Sequence, residues 1–362
     1  MKRRFLYPFL FVFILLTGQG CLSFSSSKKP VTSGPLGMFV SKDKGDNWQA
    51  IVTLPTAEAV KNIAGVSVYR LIEDSHDANT LYLLSRQQGM FFTYDNGTTW
   101  RQVSPPLATG FVYDLTIHPK DPCTMFATNG TQVFRSYDCN RSWQEVYREL
   151  RPGITISSLD FEAQSPFRIF LAEGNGDLLE SLDAGEHWTI NTRLGKQIIK
   201  VVSDRKEPAV IYIITRKDGL YRSINSGQSW ESLAAGLKQF SGGLEYRRFF
   251  LHPKTEGVLY WISTYGILYS TDKGNNWSAF SLLTPPGSIN IYAFAQNPEN
   301  DQEFYYIGTI KDNTRSILYR TIDGGKNWTT KKLPSGQVPT VLRVHPEHPE
   351  WLYLGFTAPV QS

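Results

Sequence analysis

The stretch Ser270-Thr271-Asp272-Lys273-Gly274-Asn275-Asn276-Trp277 is the clearest copy of an eight-residue segment that occurs seven times in the chain. The copies start 42 to 52 residues apart and run from Ser41 to Trp48, Thr93 to Trp100, Ser136 to Trp143, Ser181 to Trp188, Ser223 to Trp230, Ser270 to Trp277 and Thr321 to Trp328. A period of this length is typical of propellers and solenoid arrays. The sequence therefore predicts a fold built from seven similar units.

Each position that recurs among the seven copies of the segment fits the mechanics of a turn. The acidic residue can accept hydrogen bonds from the turn backbone, and the glycine two residues later can adopt a positive φ. Asn140 stands at the glycine position of the third copy, and Asn also tolerates that conformation. We assign structural roles to the acidic or amide residue and the tryptophan of each copy, namely Asp43, Trp48, Asp95, Trp100, Asp138, Trp143, Asp183, Trp188, Asn225, Trp230, Asp272, Trp277, Asp323 and Trp328.

The pattern Ser/Thr-x-Asp-x-Gly-x-x-Trp resembles the Asp-box (BNR) repeat of sialidases, xyloglucanases, sortilin-type receptor domains and photosystem II assembly factors. The resemblance covers residues 37 to 357 and implies a β-propeller. It indicates the fold much more than the function, because families that share this turn differ in what they do. Among them, the chain is most similar to the single-propeller photosystem II assembly factors and the sortilin-like repeat domains.

Between the boxes, the chain repeats a pattern of short β-rich runs, which predicts four strands per unit. Complete units begin near residues 66, 111, 154, 197, 247 and 289. A seventh unit is split, with Val338 to Thr357 supplying two strands and Met38 to Ala50 supplying the box. We therefore predict an all-β, seven-bladed β-propeller over residues 37 to 362, with antiparallel four-stranded blades and a last blade that joins the two ends of the domain.

Histidine or asparagine precedes a proline at one equivalent turn in four units, at His118, His252, Asn297 and His345. These residues could be metal ligands or catalytic bases. However, equivalent positions in different blades are far apart, so a turn-stabilising role is favoured. No pair of histidines has metal-ligand spacing. We therefore expect no metal and no cofactor.

The formal net charge of +4 comes from the amino end of the chain. Five of the 37 basic residues lie in the first 29 residues, which contain no acid, so 32 basic and 33 acidic residues remain. A nearly neutral body argues against nucleic-acid binding, which requires a basic stripe.

Lys2-Arg3-Arg4 and the apolar run from Phe5 to Leu16 have the pattern of a secretory signal. This run is shorter than a spanning helix requires. Cys21 follows at a distance that resembles the bacterial lipobox, although Gly18 stands where that pattern prefers leucine. We predict a signal peptide over residues 1–20, lipid attachment at Cys21 and a flexible tether over residues 21–36. The alternative is an ordinary cleavage site.

Two further cysteines, Cys123 and Cys139, are predicted to form a disulfide. Cys123 opens the second strand of its unit and Cys139 lies in the turn after the third strand, so both fall at the same end of one blade. An exported protein can keep such a bond. The alternative is a pair of buried free thiols.

Three segments depart from the repeat: Leu54 to Ala64, Leu233 to Glu245 and Lys311 to Arg315. Loops on a rigid scaffold often carry recognition, but such insertions can also be neutral. Both interpretations stay open.

Alignment of the first strand of each unit superposes Arg70, Asp114, Ser158, Lys200, Arg248 and Ala293, which we expect near the central channel. Arg70, Lys200, Arg248 and the adjacent Arg247 are the predicted partner-binding residues, because such cations can hold carboxylates. The alternative is that each cation pairs with a neighbour such as Asp114 or Glu73 and only holds the blades together.

No catalytic residue is assigned. Phe167-Arg168-Ile169-Phe170 is similar to a sialidase motif but lies in the wrong place and lacks its proline. A sialidase-like enzyme would also need three arginines, a Tyr/Glu pair and an Asp at one mouth of the channel. We therefore expect a non-enzymatic propeller of the bacterial envelope that binds a protein partner and contacts the membrane through a lipid anchor. A glycan-acting hydrolase or a carbohydrate-binding module is the alternative.

Overall fold

The computed structural model describes residues 32–165, 167–310 and 315–359. Seven sheets of four antiparallel strands account for nearly all of the regular structure. The one helix in the described part of the chain is the five-residue α1 (Ala234–Lys238). The first strand of each four-stranded sheet contacts the first or second strand of the preceding sheet around the whole set. The chain is a seven-bladed β-propeller, which confirms the predicted fold class.

The first strands in the chain are β1 (Gly37–Ser41) and β2 (Gln49–Ala50), followed by a separate hairpin of β3 (Thr53–Pro55) and β4 (Val60–Asn62). Blade 1 contains β5 (Val68–Asp74), β6 (Asp77–Ser85), β7 (Met90–Thr93) and β8 (Arg101–Gln102). Blade 2 contains β9 (Asp114–His118), β10 (Asp121–Thr128), β11 (Gln132–Ser136) and β12 (Gln144–Arg148). Blade 3 contains β13 (Ile156–Phe161), β14 (Ile169–Glu173), β15 (Asp177–Ser181) and β16 (Thr189–Arg193).

Blade 4 contains β17 (Ile198–Ser203), β18 (Ile211–Thr215), β19 (Leu220–Ser223) and β20 (Glu231–Ser232). Blade 5 contains β21 (Tyr246–Leu251), β22 (Leu259–Ser263), β23 (Ile267–Ser270) and β24 (Ser278–Ala279). Blade 6 contains β25 (Ile289–Gln296), β26 (Phe304–Ile310), β27 (Ser316–Thr321) and β28 (Thr329–Lys331).

Blade 7 combines strands from both ends of the described chain. Its strand order is β2-β1-β30-β29, where β29 is Val338–Val344 and β30 is Leu352–Thr357. Strand β1 pairs antiparallel with β30, with Gly37 opposite Phe356 and Ser41 opposite Leu352. Strand β1 also pairs with β2, and β30 with β29, so the β1–β30 pairing covers the second edge of each strand, which would otherwise expose backbone donors and acceptors.

The box turns have the predicted hydrogen bonds. In the first copy, Ser41 Oγ donates to Asp43 Oδ1 at 2.7 Å and accepts from the Gly45 N–H at 2.7 Å. The Asn47 N–H then donates to Asp43 Oδ1 at 2.8 Å. These donors lower the pKa of Asp43 to about 2, the Asn47 backbone bond being the largest cause. The same three bonds occur in the other six copies.

The backbone conformation of the turn has one feature that the sequence did not predict. A positive φ occurs not only at the glycine position but also at the residue before it, in all seven boxes. Six of those preceding residues are not glycine: Lys44, Asn96, Cys139, Ala184, Ser226 and Lys273. The hydrogen bonds of the turn evidently outweigh the steric cost of this conformation for an L-residue, which is about 1–2 kcal/mol.

The box tryptophans pack against the blades. Trp100 is completely buried, and its Nε1 donates to the Ile51 carbonyl at 2.8 Å. The ring belongs to an apolar cluster between blades 7 and 1 that also contains Met38, Leu71 and Tyr353. The core thus lies in the faces between neighbouring blades rather than in one central layer.

Histidines at the proline turns stabilise those turns. His252 Nδ1 accepts from the backbone N–H groups of Lys254 and Thr255 at 3.1 and 2.9 Å. His345 Nδ1 accepts from two successive backbone N–H groups in the same way. Burial lowers the pKa of both rings, which favours the neutral form that can accept these bonds.

Cys123 and Cys139 are joined by a disulfide in the structure. The Cys139 N–H also donates to the Cys123 carbonyl at 3.2 Å. The bond therefore ties the box turn of blade 2 to the beginning of its second strand.

The insertions have different structures. Residues 54–64 include parts of the β3–β4 hairpin, and residues 233–245 include α1. Most of the third insertion, residues 311–314, lies outside the described residues, as do the predicted signal peptide, Cys21 and the tether up to residue 31. Within the described ranges, no helix has the length and apolar character to cross a membrane.

Candidate functional site: a cationic channel

The first strands of the blades line a central channel. A β-bulge falls at the same place in the first strands of blades 1, 3, 4, 5 and 6, and the residue after it is Arg70, Ser158, Lys200, Arg248 and Ala293, respectively. Asp114 is the first residue of β9 in blade 2, and Val341 follows the bulge in blade 7. The six residues that the sequence superposed therefore occupy equivalent backbone positions.

On one side of the channel, the charges are paired. Arg70 Nη1 lies 2.5 Å from Asp114 Oδ1, and both side chains are largely buried. The other Asp114 oxygen accepts from Ser158 Oγ at 2.6 Å and from the Leu159 N–H at 3.2 Å. Blades 1, 2 and 3 are thereby connected through one carboxylate.

Asp160 forms the second connection on this side. Its Oδ2 accepts from the Ser203 N–H at 2.7 Å, and its Oδ1 lies 3.1 Å from Arg205 Nη2. Burial nevertheless raises the pKa of Asp160 above its usual value. We call Arg70, Asp114, Ser158, Asp160 and Arg205 the paired side of the channel.

On the other side, three cations lack a carboxylate partner. Lys200, Arg248 and Arg343 belong to blades 4, 5 and 7 and line one cavity of about 130 Å³. Within the described ranges, none of the three forms an ion pair. We call these three residues the channel cations.

Their surroundings differ from those of Arg70. Arg248 donates only to backbone carbonyls, those of Arg247 at 2.8 Å and Thr340 at 3.2 Å. The Arg343 guanidinium lies 5.7 Å from the centre of the Phe250 ring. Burial and the nearby charge of Arg70 lower the pKa of Lys200 to about 8. This side of the channel therefore brings together three cations without a direct ion pair, and Asp114 and Asp160 act on Lys200 only at longer range.

Tyrosines complete the wall of the same cavity, namely Tyr69, Tyr246 and Tyr292. Tyr69 contacts Phe111 edge to face at 4.8 Å, and the Arg86 guanidinium lies 5.3 Å from the Tyr69 ring centre. Tyrosine and arginine are the residue types that most often dominate the energy of protein interfaces. The wall of the cavity thus has the residue types that are common in protein-binding surfaces.

The structure brings three of the four predicted partner-binding residues together. Arg70, Lys200 and Arg248 line the cavity, but Arg247 does not. Because of the bulge, Arg247 has no paired residue on β22, and its Nη1 donates to the Tyr246 carbonyl at 3.4 Å. Arg343 was missed, because its blade has Val341 at the equivalent position and the cation two residues later.

A sialidase-like centre is incomplete here. Arg70, Arg248 and Arg343 share one cavity. However, the Tyr/Glu contacts in the described chain lie outside it, between Tyr147 and Glu149 or Glu173 and between Tyr305 and Glu303. Arg168 of the Phe167–Phe170 segment pairs with Glu180 on the neighbouring strand. The described residues also contain no cluster of three metal-ligating side chains.

Comparison with known proteins supports an Asp-box-like propeller. The Sortilin-Vps10 family model (sortilin, neurotensin receptor 3) matches residues 37–173. The photosystem II assembly protein Ycf48 of Thermosynechococcus vestitus is 26% identical over 152 residues, which are 42% of this chain and 40% of that protein. A xyloglucanase of a Paenibacillus species is 30% identical over 154 residues, which are 41% of this chain but 14% of the enzyme. The matches thus span less than half of either relative.

Solved structures show the same architecture. A Ycf48 structure with a bound D1 peptide superposes with a TM-score of 0.59 at 14% identity, covering 92% of this chain and 98% of that one. The GH74 xyloglucanase of Xanthomonas campestris gives a TM-score of 0.65 at 17% identity, covering 81% of this chain and 51% of the enzyme. At these identities the similarity establishes the fold alone. The chain is an Asp-box-like propeller that resembles Ycf48 and sortilin-like proteins.

Proposed function

We propose that this chain is a non-enzymatic, protein-binding propeller of the bacterial cell envelope that acts as an assembly or stability factor for a membrane complex. The observation that carries the proposal is the channel, where cations and tyrosines are concentrated although the body of the protein is nearly neutral. The Ycf48 structure with a D1 peptide adds support, because it shows that a propeller of this fold can bind a peptide.

The partner presents an acidic segment to the channel. Arginine and lysine bind carboxylates by charge-assisted hydrogen bonds, and the bidentate geometry of arginine adds specificity. The channel cations have no carboxylate of their own in the described structure, whereas Arg70 is already occupied by Asp114. Lys200, Arg248 and Arg343 are therefore the residues that bind the partner.

The test is capture of a crosslinked partner from native membranes, followed by binding of the identified protein to the purified propeller. We expect the variant Lys200→Gln/Arg248→Gln/Arg343→Gln to lose binding and keep a cooperative melting transition. Arg216→Gln/Lys217→Gln removes two exposed charges outside the channel and is the matched control. Binding that survives in the triple variant would move the site to the outer loops, first to residues 233–245 with α1.

Membrane attachment through lipidated Cys21 is the second part of the proposal. The support is the signal-like leader and the position of Cys21, both in the sequence before the propeller. Two acyl signals suffice for stable anchoring without a spanning helix. Cys21→Ser is expected to release the protein from the membrane fraction or to block its processing, as seen by fractionation and mass spectrometry of the amino terminus. Unchanged processing and retention would reject the anchor.

Glycan hydrolysis or glycan binding is the alternative function. Three arginines share the channel, and Asp160 has the raised pKa that a general acid needs. However, both channel aspartates accept hydrogen bonds from neighbouring blades, which is a structural use of a carboxylate. A screen of glycan substrates and ligands with wild type and Asp160→Asn decides: turnover that Asp160→Asn abolishes would favour the enzyme.

A further inference from the structure

The channel cations are half-buried and form no ion pair within the described residues. A charge partly removed from water is costly unless it is paired or hydrogen-bonded to an opposite partner. Arg70 meets this condition through Asp114 at 2.5 Å. Arg248 has only two carbonyl acceptors, and no hydrogen bond to Lys200 Nζ exists within the described ranges.

The cations around this cavity also repel one another: Arg343 and Arg70 act on Lys200, and Arg70 acts on Arg248. All three line the cavity of about 130 Å³, and Lys200 and Arg343 also line the adjoining cavity on the side of Asp114 and Asp160. Those two residues therefore lie where the two cavities meet. Burial is the largest cause of the lowered pKa of Lys200; the charges of Arg70 and Arg343 lower it further, and those of Asp114 and Asp160 oppose them.

We propose that Lys200, Arg248 and Arg343 form a site for one small oxyanion or carboxylate, which a free anion occupies until a carboxylate of the partner displaces it. Displacement of the anion by a partner rests on the proposed function. Binding of a free anion does not depend on it. The cavity has the size for a tetrahedral oxyanion or a carboxylate group. The donors come from three different blades, so a bound anion would hold those blades together at the centre of the ring.

Because a bound anion would hold three blades together, its binding can be measured through the thermal stability of the propeller without any partner. A ligand that binds only the folded state raises the melting temperature in proportion to the logarithm of its concentration. We use sulfate as the probe, with chloride at the same ionic strength as the reference. For wild type we expect the melting temperature to rise by roughly 3 °C or more over the chloride reference when sulfate exceeds its dissociation constant many-fold, and to keep rising with the logarithm of the sulfate concentration.

Lys200→Met and Arg343→Met provide the decisive variants, because removing an unpaired cation should relieve repulsion. Each variant is expected to melt at or above the wild-type temperature in chloride and to lose the sulfate effect. A merely structural role of these side chains would instead lower the melting temperature in both salts. Lys217→Met, on an exposed strand connection, should keep the full sulfate effect.

Isothermal titration distinguishes the two sources of the anion. One sulfate per chain is expected, competed by an acidic peptide with a free carboxyl terminus. A sulfate-independent melting temperature together with peptide binding that requires Lys200 and Arg343 would reject the resident anion and leave the proposed function intact. Sulfate binding with no binding of the partner would support the anion site and count against the proposed function. Unaltered sulfate dependence in both Met variants would overturn the site.

Discussion

The two sides of the central channel use charge in opposite ways although they are built from the same backbone positions. On the paired side, Arg70, Asp114 and Ser158 follow one another around the ring and satisfy each other by hydrogen bonds. On the other side, Lys200 and Arg248 occupy the same positions in blades 4 and 5 but form no ion pair in the described structure. The repeat therefore creates equivalent backbone positions in the blades. The side chain at each position determines whether it links neighbouring blades or leaves a charge that a ligand can bind.

Both sides of the channel exist only in an intact ring of blades. We therefore expect the largest effect from a change that opens the ring. Deletion of residues 338–362 removes β29 and β30, which pair with β1 and complete blade 7. It also removes Arg343 and the Val341 and Tyr353 side chains of the apolar cluster shared with blade 1. We expect loss of the cooperative thermal transition and exposure of strand edges that promote aggregation. A truncated chain that stays monomeric with the wild-type melting profile would show that blade 7 is dispensable.

The next largest effect is expected on the paired side. Asp114→Asn keeps the shape of the side chain but leaves Arg70 buried without a counter-charge. Removing one partner of a buried ion pair destabilises a protein by about 3–5 kcal/mol. We expect a loss of about 3 kcal/mol in the free energy of unfolding, measured by denaturant titration.

The matched control for this effect is the double variant Arg70→Met/Asp114→Asn, which removes both charges. It should recover part of the lost stability, because the unpaired cation is gone. If the double variant is no more stable than Asp114→Asn, the pair does not determine the stability of this side.

Much of this architecture could be predicted from the sequence, because the box turn is local. Asp43, Gly45 and Trp48 lie within eight residues, and their roles follow from turn geometry. The equivalence of Arg70, Lys200 and Arg248 also followed from repeat alignment. Which of them is paired could not be predicted, because the Arg70–Asp114 contact joins residues 44 positions apart in different blades.

Arg343 was missed for a related reason. Arg343 lies two residues beyond the aligned position and therefore on the same face of its strand, where it lines the same cavity. The repeat alignment considered only the single aligned position in each blade. The Arg343-Val344-His345-Pro346 motif in the split blade was the available signal. The same reasoning overestimated Arg247, which lies next to Arg248 in sequence but outside the cavity.

A buried carboxylate cluster away from the channel also depends on charge pairing between blades. Arg151 contacts Glu149 at 2.7 Å and Glu173 at 2.6 Å between blades 2 and 3. Burial raises the pKa of Glu173 to about 7 from its usual value of 4.5, with a contribution from Glu149. The folded state therefore retains a proton between pH 4.5 and 7 that the unfolded state has lost.

Stability should accordingly fall as pH rises through this window, by about 1–2 kcal/mol. Glu173→Gln mimics the protonated form and should remove this slope, as measured by denaturant titration at pH 4.5, 5.5, 6.5 and 7.5. An unchanged slope in the variant would assign the effect to another group.

The smallest expected effect is on the unpaired side, and it has the opposite sign to that of Asp114→Asn. Burial lowers the pKa of Lys200 to about 8 from its usual value of 10.5, so the unfolded state binds a proton between pH 8 and 10.5 that the folded state does not hold. Stability contributed by this group therefore rises with pH across that window, and protonated Lys200 is a small cost to the fold below pH 8.

Lys200→Met should remove this dependence and be neutral or about 1 kcal/mol more stable than wild type at pH 7 without added oxyanion. Chloride is the reference salt, and Lys217→Met, which removes an exposed lysine, should leave the pH dependence unchanged. A Lys200→Met variant that loses several kcal/mol would mean that the ammonium is a structural partner like Arg70, and the difference between the two sides of the channel would disappear.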